Sequence, residues 1–194
     1  ETAQEIKALS TAFGARPQDI LLGGQATEAA LRQQPLDAYR IIAFATHGLV
    51  TGDLDGLAEP GLVLTPPAKS SAEDDGILTM SEIAQMRLDA ELVILSACNT
   101  ASSDGRAGAT GLSGLARAFL TSGARSLIVT HWAIPSGPTV ALMTKSARDM
   151  AAAPQRGWDY ALRSAVRELI AVEGPAEYAH PANWGAFVVF GMQS

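Results

Sequence analysis

The 194-residue sequence has a single cysteine, Cys98, so an internal disulfide is excluded and a reducing, cytoplasmic setting is expected. Lysine is nearly as scarce, with only Lys7, Lys69 and Lys145. No Lys/Arg cluster offsets the net charge of −6, so a phosphate-tracking surface is not expected and nucleic acid is not a partner. No apolar run approaches the length of a membrane span and no signal peptide opens the sequence, so no membrane partner is expected. Internal repeats and low-complexity tracts are also missing. What is present is an ordinary globular balance, 47% apolar and 18% charged, enough to bury a real core in one domain over residues 1–194. A helical pattern is already running at Glu1, which points to a piece of a longer protein.

Short apolar runs bounded by turn residues predict buried parallel strands at Ile41 to Ala45, Leu92 to Ser96 and Ser126 to Thr130. A fourth strand is expected over Ala186 to Phe190, and Ile20 to Leu22 adds a candidate fifth. Between them, Leu112, Leu115, Ala116, Phe119 and Leu120 repeat at helical spacing, with Gly123 as the stop. A longer stripe, from Trp158 through Ala161, Leu162, Ala165, Val166 and Leu169 to Ile170, predicts a helix packed on the sheet. Thr27 and Ser81 are candidate N-caps for short helices. Strands alternating with helices give an α/β class, with a mostly parallel sheet covered on both faces.

Two segments read as long loops, residues 49–76 and 99–110, and each follows a strand that ends on a notable residue. "FATHG" carries His47 and "LSACNT" carries Cys98. Ligands of open parallel sheets gather beyond the carboxyl ends of the strands. If these two strands are neighbours, roughly 5 Å apart, His47 and Cys98 come within reach. A thiolate nucleophile and an imidazole that takes its proton and returns it to a leaving amine is a clear chemical use for the pair. Gly48 allows close approach of substrate, and its N–H with that of Cys98 suits an oxyanion.

Competing chemistries fail on spacing. A phosphatase loop needs arginine six residues after the cysteine, where Asp104 stands. A nucleophile elbow needs glycines where Ser96 and Thr100 flank Cys98, and "GLSGL" has Leu115 at its last position. "GRAGATG" lacks both the GxGxxG spacing and the lysine of a P-loop. With no HExxH or CxxC, a zinc site would have to be assembled from His47, Cys98 and His131, against zinc's usual ligand spacing, so no metal is assigned.

The motifs "DILLGGQATEAALRQ", "FATHG", "GLVLT", "LTMSEIAQMRLDAELVILSACNTA", "GLARAFLTSGARSLIVTHW" and "HPANWGAFVVFG" together resemble a CHAT domain, the caspase- and separase-like module often found beside TPR repeats. The resemblance implies a caspase-like α/β/α sandwich. It also implies a dyad with His47 as general base and Cys98 as nucleophile, and a substrate groove lined by the segment after "THW", including Trp132 and Ser136. One departure stands out: the family's W-x-V-D-D-like pattern is replaced by "WAIPSGPT", with Pro135 and Ser136 at the acidic places. A preference for a basic residue before the cut therefore does not follow.

The expected function is that of a cysteine endopeptidase acting on a protein substrate in a bacterial-type cytosol. It needs no metal or organic cofactor, and a sensor region such as TPR repeats, or a partner, controls it. The Asn99–Thr110 segment is expected to gate access. The alternative is a non-catalytic caspase-like module that signals by binding, although a pure scaffold has no chemical reason to keep both His47 and Cys98. A cysteine hydrolase or ligase on a small amide would need a closed pocket. His131 competes for the base role, His180 reads as a turn residue, and Asp53 and Asp55 read as loop charges. No residue is identified to orient His47.

Overall fold

A computed structural model describes residues 2–51, 53–71, 74–96, 114–132, 134–171 and 175–191. The chain runs through α1 (Thr2–Phe13), α2 (Glu28–Arg32), β1 (Ile41–Ala45), β2 (Gly48–Leu49), β3 (Gly61–Val63), β4 (Ile77–Thr79) and α3 (Met80–Gln85). It continues with β5 (Leu92–Ser96), α4 (Gly114–Thr121), β6 (Ser126–Thr130), α5 (Ser136–Ala152), α6 (Gly157–Ile170) and β7 (Phe187–Gly191). The three apolar runs expected as parallel strands are β1, β5 and β6, at the expected bounds. They form the main sheet in the order β1-β5-β6-β7, with β1–β5 and β5–β6 parallel and β6–β7 antiparallel.

The sheet separates two apolar layers. Val93, Leu95, Leu127 and Val129 face a cluster completed by Ile83 of α3, Leu115 and Phe119 of α4, and Leu62 and Leu78 of the smaller strands. Leu92, Ile94 and Ile128 face the opposite cluster with Leu9 of α1, Leu142 and Met143 of α5, and Trp158, Leu162 and Leu169 of α6. The Trp158 stripe is helix packing from Trp158 to Leu169, as its spacing implies, whereas its last expected member, Ile170, is exposed at the end of α6. β5 lies between two strands and under helices on both sides, which explains its uninterrupted apolar run. This is a caspase-like α/β/α sandwich around a mostly parallel sheet.

Local signals explain most boundaries. Thr27 caps α2 by accepting from the Ala30 N–H at 3.1 Å. Gly123 ends α4 with φ +115, and a Cβ there would lie 2.0 Å from the Leu88 carbonyl oxygen, so only glycine fits.

Four expectations are corrected. Ser81 lies inside α3, and the cap is Thr79, whose N–H donates to Glu82 Oε2 at 2.9 Å in a capping box. Ile20 to Leu22 is not a strand: 3₁₀ turns at Pro17–Asp19 and Gly23–Gln25 flank it, set by Pro17 and by Gly23 at φ +51. The last strand begins one residue later than expected, at Phe187, and runs antiparallel to β6. Residues 49–76 are not simply loop, because their apolar island forms β3 in a second, antiparallel sheet of order β2-β3-β4. Leu62 and Leu78 carry that sheet into the core, both fully buried. Leu112 and the whole Asn99–Thr110 segment lie outside the described residues.

Candidate active site

β1 and β5 are adjacent, parallel and in register, with Ala45 opposite Ser96 at their carboxyl ends. His47 stands two residues past Ala45 and is exposed. Its place is fixed from both sides by β3: the Thr46 hydroxyl donates to the Val63 carbonyl, and the Val63 N–H donates back to the His47 carbonyl at 2.8 Å. The second sheet thus clamps the turn that presents His47. Sequence reasoning missed this role of Thr46 and Val63, although the "GLVLT" island was its visible signal.

Gly48 opens β2 and pairs with Leu62. Because the Val63-to-His47 hydrogen bond flanks that pair, Gly48–Leu62 is the non-hydrogen-bonded kind. The Gly48 N–H therefore turns away from β3, toward the open edge of β2. Asp53 accepts from the Val50 N–H at 2.9 Å and closes the turn after β2, so it is a turn-forming carboxylate rather than a free loop charge. Cys98 lies outside the described residues, two positions beyond Ser96 in the sequence.

Trp132 and Ser136 follow β6, on the other side of β5. The Trp132 ring is 43% exposed, yet its indole N–H is anchored to the Ala182 carbonyl at 2.9 Å. The closing "HPANWG" segment builds the support beneath it. His180 Nδ1 accepts from the Ala182 N–H at 3.2 Å, and the Trp184 indole donates to the Ala179 carbonyl at 3.1 Å. His180 is thus the turn residue its neighbour Pro181 suggested. Ser136 is the half-buried first residue of α5. Next to it, Gly137 takes the Tyr178 hydroxyl so closely that a Cβ would lie 2.2 Å away.

His131 is exposed and follows β6, its N–H bound to the Ala186 carbonyl at 3.0 Å. With β5 between β1 and β6, His47 and His131 follow strands roughly 10 Å apart. No group of three or more metal-ligating side chains occurs among the described residues. Nor is any helix of the described residues long and apolar enough to cross a membrane.

The family model of the CHAT domain matches residues 1–192. The chain belongs to the CHAT domain family. This CHAT domain is 31% identical to tetratricopeptide repeat protein 28 of Mus musculus over 119 residues, which is 59% of the chain and 4% of that protein. It is 24% identical to tetratricopeptide repeat protein 28 of Homo sapiens over 219 aligned positions, 97% of the chain and 8% of that protein. The CHAT domain therefore spans only a small part of the length of these relatives, and their names place the match in a tetratricopeptide-repeat context.

Proposed function

We propose that this CHAT domain is a cysteine endopeptidase that cleaves a protein substrate through His47 and Cys98. One observation carries the reading: β1 and β5 are paired with Ala45 opposite Ser96, and both residues of the dyad stand two positions past that pair in the sequence.

The Cys98 thiol gives its proton to the His47 imidazole, and Sγ attacks the scissile carbonyl carbon. The oxyanion is met by the Gly48 N–H, turned to the open edge of β2, and by the Cys98 N–H. The imidazolium protonates the departing amine as the C–N bond breaks, leaving a thioester. Water then adds to the thioester carbon with His47 as base, releasing the acid and restoring the thiol. Trp132 supplies an anchored, exposed ring for an apolar substrate side chain, and Ser136 replaces an acidic contact with a neutral one. A reducing compartment such as the cytoplasm suits a free thiol nucleophile. A tetratricopeptide-repeat region of the same protein, as the names of the relatives suggest, is the natural sensor.

The test is digestion of a proteome-derived peptide library by wild type, His47→Ala and Cys98→Ala, read by mass spectrometry. Cuts by wild type alone are expected, without a preference for a basic residue before the cut. Absence of cuts under every condition, with partner binding indifferent to Cys98→Ala, would leave the CHAT domain as a non-catalytic interaction module.

A further inference from the structure

Glu5 is a carboxylic acid in an unexpected place. It sits on α1 with a side chain only 4% exposed, among apolar residues that seal the sheet. One turn further along α1, Leu9 packs with Leu92 and Ile94 of β5, which brings Glu5 beside Ser96, the next residue of β5 on that face, while Oε1 is buried with no hydrogen-bond partner among the described residues. Burial pushes the carboxyl above its usual range, against the neighbouring Ser96 side chain, which favours the charged form. A buried carboxyl with a free oxygen costs stability, and an apolar side chain of similar size would not. Of the other polar side chains in this layer, Ser146 donates to the Leu142 carbonyl at 2.9 Å, whereas Asp149 Oδ2 on α5 is also buried without a partner among the described residues.

The place of Glu5 explains why the cost is tolerated. Ser96 pairs with Ala45, so Glu5 reaches the carboxyl ends of the two strands that lead to His47 and Cys98. It does so from the α1 face, the side that Ala43 and Ile94 also face. We propose that Glu5 is a positioning residue of the active site, acting through Ser96 to hold the end of β5 in the register from which the nucleophile is presented. The inference rests on the dyad reading, and the experiment separates the two.

Because Cys98 is the only cysteine, iodoacetamide alkylation of the intact chain reads the nucleophile directly, without a known substrate. Each rate is compared with that of the same chain unfolded in denaturant. The variants are His47→Ala, Glu5→Leu, Glu5→Gln and Ser96→Ala, with thermal midpoints measured in parallel. We expect Glu5→Leu to melt no lower than wild type yet to alkylate roughly tenfold more slowly, a displaced reacting group being enough to cause such a loss. Ser96→Ala should slow alkylation similarly, the double variant Glu5→Leu/Ser96→Ala no further than either alone, and Glu5→Gln should recover most of the rate. A merely structural carboxyl would move the midpoint and leave the rate alone. If His47→Ala slows alkylation while Glu5→Leu and Ser96→Ala do not, the positioning role is overturned and the dyad stands. Unchanged alkylation in His47→Ala overturns the dyad, and the role of Glu5 with it.

Discussion

At Gly137, two opposing effects can be weighed. Alanine is better than glycine in a helix by about 0.8–1 kcal/mol, so Gly137→Ala in the first turn of α5 would stabilise an unencumbered helix. Here its Cβ would lie 2.2 Å from the Tyr178 hydroxyl oxygen and 3.0 Å from the ring carbon that bears it. Overpacking of this kind costs roughly 1–3 kcal/mol, so the clash wins and the thermal midpoint falls, by roughly 2–4 °C per kcal/mol in a chain of this size. Tyr178→Phe in the same background removes the oxygen and should recover part of the loss. A midpoint raised by Gly137→Ala would mean that Tyr178 does not rest on α5. The contact matters because Ser136 and Trp132 lie beside it, in the wall proposed to receive substrate.

Between elements, Glu28 is the clearest fastening. Fully buried on α2, it accepts the N–H groups of Asp75 at 3.0 Å and Gly76 at 2.9 Å, and it pairs with Arg32 at 2.9 Å. Arg32 continues to Glu82 in the capping box of α3 at 2.6 Å. The four contacts tie α2, the entrance to β4 and α3 into one unit behind the clamp on His47. Glu28→Ala orphans the two backbone donors, about 1–3 kcal/mol for each, and should speed hydrogen exchange at the Gly76 amide. Glu28→Gln keeps an acceptor oxygen and should lose distinctly less. Equal losses in the two variants would show that charge, not the hydrogen bonds, holds the turn.

The same elements show how much of the molecule was legible in its sequence. β1, β5 and β6 were readable because parallel strands covered on both faces leave uninterrupted apolar runs. β2, β3 and β4 were hidden, since strands of two or three residues among Gly, Pro and Asp carry no period. Ile20 to Leu22 misled for the opposite reason: an apolar run was present, but Pro17 and Gly23 committed its flanks to turns. Of the candidate site, His47 and Gly48 announced themselves by following a strand. Thr46 and Glu5 did not, because a hydroxyl that bonds a backbone 17 residues away and a carboxyl meeting a serine 91 positions further on leave no local pattern.

Over the whole molecule, β5 couples the two layers. Its alternate residues enter opposite clusters, Leu92 and Ile94 on the α1–α5–α6 side, Val93 and Leu95 on the α3–α4 side. Neither layer can open without exposing residues of the strand that the other is packed on, so residues 1–194 should unfold as one domain in one transition. Leu95→Ala removes buried volume only from the α3–α4 side, at about 2–5 kcal/mol. Trp158 reports from the other side, where it packs with Phe13, ring centroids 6.1 Å apart. In Leu95→Ala on a Trp132→Phe/Trp184→Phe background, which leaves Trp158 as the reporter, denaturation followed by tryptophan fluorescence and by far-ultraviolet circular dichroism should therefore shift together and keep a common midpoint. Ile94→Ala should do the same from the opposite side. A fluorescence midpoint that stays at its wild-type value in Leu95→Ala while the dichroism midpoint falls would divide the molecule into two folding units along the sheet. The proposed dyad would then be presented by one unit and clamped by the other, and loss of the α3–α4 layer alone would be expected to abolish its reactivity.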